Sequence, residues 1–418
     1  MVVVVLQWLC GIILAISGIY GLYQVCISLH MFGSLHIPQP ETDTYHRFAV
    51  LIFAKNEERV IGQLLSSLNR QNYKAECFDI FVTADNCTDQ TAAVARAAGA
   101  TVFERADPAH KSKGYALNWF FSRFLNEYEG CYDACVVFDA DNVVDREFLA
   151  AMNRQLNIGH PIATGYRMGK NPSSSWISGC STLFWLTQSR CFYRPRANLN
   201  LPCCTVGGTG FMFALSVLGK SGWHTRSTCE DIEFTLNSIA EGHFVAFAPD
   251  AIFYDEQPLS FIQSVKQRYR WSLGGIQNIP LSTPRLVRAL RTGKKRVFDA
   301  LLYNIGVMIA GCAGLFWVLQ MLLNAVADKS WRGLVSTLAI GSVAGYISIA
   351  LFAGLILFLE KKTWPGVWKT ILTFPFYLLS WSVINIFVLF YHNSTWLDIP
   401  HTENLSIDEI EKSTQQVP

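Results

Sequence analysis

The sequence predicts an α/β domain, with a parallel sheet covered by helices on both faces, inserted between an N-terminal transmembrane helix and a C-terminal α-helical transmembrane region. Three observations predict it. Residues 48–157 alternate short apolar runs with amphipathic segments, the pattern of parallel strands joined by helices. Val2 to Leu29 contains no charged residue, and about 20 apolar residues suffice to cross a bilayer. Three more apolar stretches follow late in the chain, at Ala300–Ala325, Leu334–Leu359 and Trp368–Tyr391. Composition agrees: of 418 residues, 51% are hydrophobic and only 16% charged, against about 25% charged in a soluble domain.

The first apolar stretch is too long for a signal-peptide core, and no basic region precedes it, so residues 1–35 read as a retained anchor. Residues 36–270 form the water-soluble domain, 271–299 an amphipathic interface region, 300–392 the transmembrane or interfacial helices, and 393–418 a short tail. Within the domain, Phe48–Ala54 is a buried strand, and Val60, Ile61, Leu64, Leu65 and Leu68 give helical spacing to Asn56–Gln71. Asp79–Ala84 is the second strand. Thr88 can cap a helix running to Ala98, with Gly99 as its stop. Strand Thr101–Glu104, helix Tyr115–Glu127, strand Ala134–Phe138 and helix Arg146–Asn157 complete the pattern.

Orientation follows the basic residues. Arg285, Arg288, Arg291, Lys294, Lys295 and Arg296 precede the second span, and Lys361, Lys362 and Lys369 follow the third. They place the domain on the cytosolic face of the plasma (inner) membrane. The last apolar segment either crosses, or is broken at Pro375 into a hairpin or interfacial helix that leaves the tail inside; the inside tail is preferred.

Several function classes are excluded. A net charge of +2 does not suit a nucleic-acid binder. After the first strand comes Lys55-Asn56-Glu57-Glu58 rather than G-x-G-x-x-G, and no Gly-Lys-Ser/Thr loop is present. Twelve cysteines without a C-x-x-C pair read as reduced, mostly buried thiols. His110, His224, His243, His392 and His401 lack paired metal spacing and read as surface or interface residues.

In such sheets ligands bind past the carboxyl ends of the strands. Asp85 follows the second strand, and Asp139-Ala140-Asp141 the fourth. Two hard carboxylates at a strand end suit Mg²⁺ or Mn²⁺, which can neutralise a departing diphosphate. Lys113 opens a helix, where a cation can meet phosphate. Glu230-Asp231 opens another, and Asp231 can act as a general base. Gln267-Arg268-Tyr269-Arg270-Trp271 is the most specific signal: Arg270 can clamp a diphosphate, and Trp271 offers a flat face to a sugar ring.

The ordered set Asp85, Asp139-x-Asp141, Glu230-Asp231 and Gln267-x-x-Arg270-Trp271 resembles the processive membrane-embedded family-2 glycosyltransferases: the cellulose, chitin, hyaluronan and mixed-linkage β-glucan synthases. The resemblance covers roughly residues 46–280. It implies a GT-A (Rossmann-like) cytosolic catalytic domain, a UDP-sugar donor and inversion at the anomeric carbon. It also implies roles. Asp85 contacts uridine, Asp139 sits near the nucleotide and metal, and Asp141 binds the metal. Lys113 contacts phosphate, while Gln267 and Arg270 line the donor diphosphate site. Asp231, with Glu230 beside it, supplies the base, and Trp271 lines the acceptor site. Gly207-Gly208-Thr209-Gly210-Phe211 resembles the family's loop at the acceptor end. Cys229 departs from the Thr or Gly usual before Glu-Asp and leaves the carboxylates in place. Trp396 to His401 faintly resembles a tryptophan-containing segment that returns to the active site in relatives.

The leading expectation is processive β-glycan synthesis from UDP-glucose, with UDP-N-acetylglucosamine next, and export through the protein's own helices. Three late apolar segments form a complete channel only with the anchor, or between protomers of a homo-oligomer. The alternatives are transfer of one sugar to a membrane lipid carrier and a non-catalytic transporter or scaffold subunit.

Overall fold

The computed structural model describes all residues except 1, 36–37, 39–42, 220–221, 329, 393–400 and 416–418, and all their side chains except those of 307–312, 411 and 413–415. The Trp396 segment, up to Pro400, lies outside the described residues. The chain opens with helix α1 (Val2–Ser28) and enters the domain at β1 (Phe48–Ala54). It continues through α2 (Ile61–Leu68), β2 (Phe78–Asp85), α3 (Thr91–Ala97), β3 (Thr101–Arg105), α4 (Lys113–Glu127) and β4 (Ala134–Asp139). Then come β5 (Val143–Val144), α5 (Phe148–Asn157), β6 (Ile162–Gly169), α6 (Trp176–Thr187), α7 (Arg194–Asn198) and β7 (Phe211–Ala214). α8 (Glu230–Glu241), β8 (Val245–Asp255) and α9 (Phe261–Arg291) close the domain. α10 (Val297–Asp328), α11 (Trp331–Glu360), α12 (Val367–Phe390) and α13 (Ile407–Gln415) follow.

The eight strands form one sheet in the order β3-β2-β1-β4-β7-β6-β8-β5. Every residue of β1 is buried, as two-sided coverage requires. Phe48, Val50 and Ile52 pack in the layer with α2 and α5, while Ala49, Leu51 and Phe53 pack in the layer with α4 and α6.

The sheet is mixed rather than wholly parallel. β7 runs antiparallel to both β4 and β6. Gly207, Gly208 and Gly210 all take positive φ, which turns the chain back so that it enters the sheet from the ligand end. The helix expected from Asn56 starts only at Ile61: Asn56 has φ +56°, and the Glu57 carbonyl closes a turn onto Val60 and Ile61. The helix expected from Thr88 starts at Thr91, whose N–H donates to Asp89 Oδ1 at 3.0 Å; the Thr88 N–H is held by Asn56 Oδ1 at 2.8 Å. α4 starts earlier than expected, capped by Ser112 Oγ.

α1, α11 and α12 are each long and apolar enough to cross a membrane. α1 and α10 pair antiparallel along their length. Gln7 Nε2 donates to Asn324 Oδ1 at 3.0 Å at one end, and Tyr23 OH to Asp299 Oδ1 at 2.9 Å at the other. Between them the Tyr20 ring lies on Gly306, where a Cβ would overlap it. Arg196 Nε donates to Asp299 Oδ2 at 2.7 Å, and this buried pair ties the domain to both helices.

α12 runs unbroken through Pro375, so the segment is not a hairpin. It lies against α6 and α9 from end to end. Thr370 packs on Gly179, and Arg268 Nη1 donates to Tyr377 O at 2.9 Å and Ser380 Oγ at 2.8 Å. Ser272 Oγ donates to Asn385 Oδ1 at 2.6 Å, and Tyr269 OH to Tyr391 O at 3.1 Å. Its opposite edge exposes Trp368, Leu372, Phe376, Leu379, Val383, Phe387 and Phe390, one helical stripe. α9 also runs unbroken across residues 270 and 271. The tail returns to the domain: Ile407 and Ile410 pack with Val143, and Asp408 pairs with Arg70 at 2.9 Å and Arg146 at 3.4 Å. The eleven cysteines with described side chains are free thiols, six of them buried.

Candidate active site

A cavity of about 710 Å³ opens past the carboxyl ends of β1, β2 and β4 and continues past α8 and α9 to α1, α10 and α12. Asp85, Lys113, Asp139, Asp141, Glu230, Asp231, Gln267, Arg270, Trp271 and Gly208 all line it. Residues up to 186 positions apart in sequence thus share one space because strand ends and helix starts converge there. Asp85 ends β2. Burial pushes its carboxyl above the usual range, and Arg105 Nη1, 2.5 Å from Oδ1, opposes the rise. Arg105 ends β3 and was not singled out from the sequence.

Lys113, the first residue of α4, donates to Asp139 and, at 2.7 Å, to the carbonyl of Gly208. It therefore ties the end of β4 to the glycine loop. Thr209, Gly210 and Phe211 stand behind that loop rather than on the cavity wall. Thr209 Oγ1 accepts from the Asp139 N–H at 2.9 Å and donates to Asn142 Oδ1. Gly210, at φ +63°, lies against the Phe253 ring, and Phe211 is in the core. Three of the four expected acceptor residues of this loop thus support the site from outside it, because β7 turns them into the sheet.

Asp141 is buried, and its carboxyl is raised by that burial. The partner facing it is His401 from the returning tail: Nε2 is 3.8 Å from Asp141 Oδ2, and Nδ1 is 2.8 Å from Glu57 Oε1. Burial pulls the imidazole pKa down, but Asp141 and Glu57 push it up to about 10. Glu256 accepts the N–H groups of Thr402 and Glu403 at 2.9 and 3.1 Å, and pairs with Lys170 at 3.2 Å. His401 is therefore a site residue, not a surface one. Its partner Glu57 is 344 positions away, so no local spacing signals it. Among the described residues no group of three His, Cys, Asp or Glu side chains forms a ready-made metal cluster. Even so, Asp139 and Asp141 offer hard oxygens to one cavity, and a divalent cation would hold the buried Asp141 ionised. The donor set fits such an ion.

Glu230 and Asp231 open α8. Burial raises both carboxyls, the Asp231 charge raises Glu230 further, and Lys113 opposes the rise at each. Thr205 Oγ1 lies 3.5 Å from Asp231 Oδ2. α9 clamps the loop that presents them. Gln277 Oε1 accepts the Thr228 N–H at 2.9 Å, Asn278 Nδ2 donates to Cys229 O at 3.4 Å, and Gly274 lies directly on Cys229. A Cβ at Gly274 would overlap the Cys229 side chain and lie 2.8 Å from its backbone nitrogen. Gly274→Ala should therefore push Asp231 away from the cavity, lowering kcat about 100-fold for a shift near 1 Å while donor KM barely moves; steady-state kinetics check this.

Trp271 stands in an aromatic cluster, 5.6 Å from the Trp185 ring, 5.8 Å from Trp381 and 6.3 Å from Phe184. Arg167 lies 3.8 Å over the Trp185 ring, pairs with Asp255 and donates to the Gly207 carbonyl at 2.9 Å. Arg268 has a different role from its neighbours: it is fully buried against α12.

A family model described as glycosyltransferase like family 2 matches residues 46–274. The probable glycosyltransferase YdaM of Bacillus subtilis is 26% identical over 306 residues, covering 68% of this chain and 70% of that protein. The beta-monoglucosyldiacylglycerol synthase of Synechocystis is 23% identical over 248 residues, covering 56% of this chain. That match spans 49% of the synthase's own length. Among solved structures, the mannosyltransferase PcManGT from Pyrobaculum calidifontis, in complex with GDP-Man and Mn²⁺, shares the fold. Its TM-score is 0.61 at 18% identity, covering 91% of this chain and 99% of that one. The chain therefore belongs to the family-2 glycosyltransferases, an enzyme whose GT-A catalytic domain is flanked by apolar helices.

Proposed function

We propose that the protein transfers a hexosyl unit, with inversion and metal dependence, from a UDP-sugar to an acceptor hydroxyl that arrives from the membrane side. UDP-glucose is the first donor to test. The observation that carries this reading is the continuity of the cavity: Asp85, Asp139 and Asp141 line one end, Asp231 the middle, and Trp271 with the membrane helices the other.

In this mechanism Asp85 orients the base and Lys113 and Arg270 meet the diphosphate. Asp139 and Asp141 would hold Mg²⁺ or Mn²⁺, which neutralises charge on the leaving diphosphate. Asp231 takes the proton of the attacking hydroxyl. No covalent enzyme intermediate is needed, and positioning with charge stabilisation supplies most of the barrier reduction. Chelation should abolish turnover, with Mn²⁺ or Mg²⁺ restoring it, as read by nucleotide release.

The base works unprotonated, so kcat/KM should rise with pH through a limb above the usual carboxylate range, set by the burial of Asp231 and opposed by Lys113. Lys113→Met removes the cation that opposes the rise at Asp231 and should move that limb to higher pH. A pH–rate profile that does not shift in this variant sinks the assignment.

Two acceptors suit the membrane end. The placement of Gln267, Arg270 and Trp271 on one wall favours a growing β-linked polysaccharide. The close pairing of α1 with α10 favours a membrane lipid. The fold-back of the tail and the basic run before α10 support a cytosolic catalytic domain in an inner membrane. Purified protein with Mg²⁺ or Mn²⁺ and each radiolabelled UDP-sugar in turn tests the reading. A labelled glycoside from one donor establishes it, and no turnover of any donor overturns it.

A further inference from the structure

We propose, on the basis of that transferase reading, that the acceptor is a neutral, hydroxyl-bearing membrane lipid. Its headgroup enters the cavity between α10 and α12 while its chains stay in the bilayer.

Three observations carry this. First, the cavity reaches into the membrane helices. Tyr303, Asn304 and Gly306 of α10 line it, and Gly306 lies seven residues beyond Asp299, about 10 Å along the helix axis at 1.5 Å per residue. Asp299 marks the charged layer, buried against Arg196. The space therefore extends from the carboxylates past that layer into apolar helix, as a molecule half in water and half in lipid requires.

Second, the chemistry of the two ends differs. The donor end presents Lys113, Asp139, Asp141 and Arg270. By contrast, every described residue that α1, α10, α12 and the 188–193 turn contribute to the wall is uncharged, among them Tyr20, Gln188, Tyr303, Asn304, Trp381 and Asn385. A lipid phosphate carried past Arg167 and Arg270 to these elements would be desolvated against a wall that offers no cation, at a large cost. A neutral hydroxyl headgroup would meet amides, hydroxyls and aromatic faces that match it.

Third, α1 and α10 are packed against each other beside the cavity, leaving no gap for a polymer where Tyr20 meets Gly306. Tyr20 rests directly on Gly306 near the Tyr23–Asp299 end of the α1–α10 pair, whose other end is held by Gln7–Asn324. The outer edge of α12 carries the exposed apolar stripe, a surface suited to lipid.

In the reaction, the lipid hydroxyl oxygen bonds to the anomeric carbon as the bond from that carbon to the β-phosphate oxygen breaks. The electron pair leaves with the nucleoside diphosphate, and the hydroxyl proton passes to Asp231. Atoms and charge balance without a further co-reactant.

The test uses the full chain in phosphatidylcholine nanodiscs with Mn²⁺ and radiolabelled UDP-glucose, each other UDP-sugar following. Three acceptors are compared: dioleoylglycerol in the disc, a polyprenyl phosphate in the disc, and soluble oligosaccharides. The expected result is at least a tenfold rise in nucleotide release with dioleoylglycerol alone, and a labelled product that partitions into organic solvent. Trp381→Ala should raise KM for the lipid several-fold and leave the donor KM unchanged. A water-soluble polymer, preference for the phosphate lipid, or release indifferent to dioleoylglycerol overturns the lipid assignment and leaves the transferase reading standing. No release with any donor and any acceptor overturns the transferase reading itself.

Discussion

Asp231→Asn should lower kcat by about 10³-fold, within the range general-base removal produces, while donor binding stays nearly unchanged. The variant keeps the shape of the side chain and the nearby Thr205 hydroxyl. Helix α8 keeps its clamp to α9 through Gln277 and Asn278, so the site does not rearrange. What is lost is a lining carboxylate that the glycine loop faces: a Cβ at Gly208 would stand 3.7 Å from Asp231 Oδ2. Nucleotide release and donor titration, run on the same preparation, separate chemistry from binding. Retention of more than about a tenth of the rate would move the base role to Glu230.

Arg196→Leu should destabilise the protein by about 3–5 kcal/mol, because it strands the carboxylate of Asp299 in a buried site with its main partner gone. The guanidinium makes two bonds to Asp299, at 2.7 and 3.1 Å, while Tyr23 OH of α1 donates at 2.9 Å and the Cys204 thiol at 3.4 Å. Thermal unfolding in detergent checks this. The double variant Arg196→Leu with Asp299→Leu should recover most of the loss, since replacing both charges removes the stranded one. If the single variant melts like the parent, the pair does not anchor the domain to α1 and α10.

The sequence made the donor half legible and left other parts obscure for physical reasons. β1, β2 and β4 are continuous apolar runs, so their ends, and with them Asp85 and Asp139, could be located within a residue. Glu230-Asp231 and Gln267 to Trp271 sit in helices whose apolar spacing is clear. β7 was missed because four residues between a glycine turn and a short helical turn carry no periodicity, and its reversal is what withdraws Thr209, Gly210 and Phe211 from the cavity. Pro375 misled because a proline inside an apolar helix reads as a break, whereas α12, supported by α6 and α9, runs through it. His401, Arg105 and the Arg167–Asp255 pair were invisible for one shared reason: each gains its meaning from a partner on another element, and only tertiary packing brings the two together.

The packing of α12 makes catalytic domain and membrane helices a single cooperative unit. Arg268 is fully buried, and the acceptors for its Nη1 atom, Tyr377 O and Ser380 Oγ, belong to α12. Leu273, next to the Trp271 wall, is covered by Ile384 and Val388 of the same helix. Trimming the chain ahead of residue 367 to obtain a soluble fragment would uncover a guanidinium and an apolar seam together, right beside the acceptor wall. Solubility is therefore gained for this enzyme by supplying an amphiphile that keeps α12 seated, and a detergent that peels the helix away should inactivate the protein before its sheet unfolds.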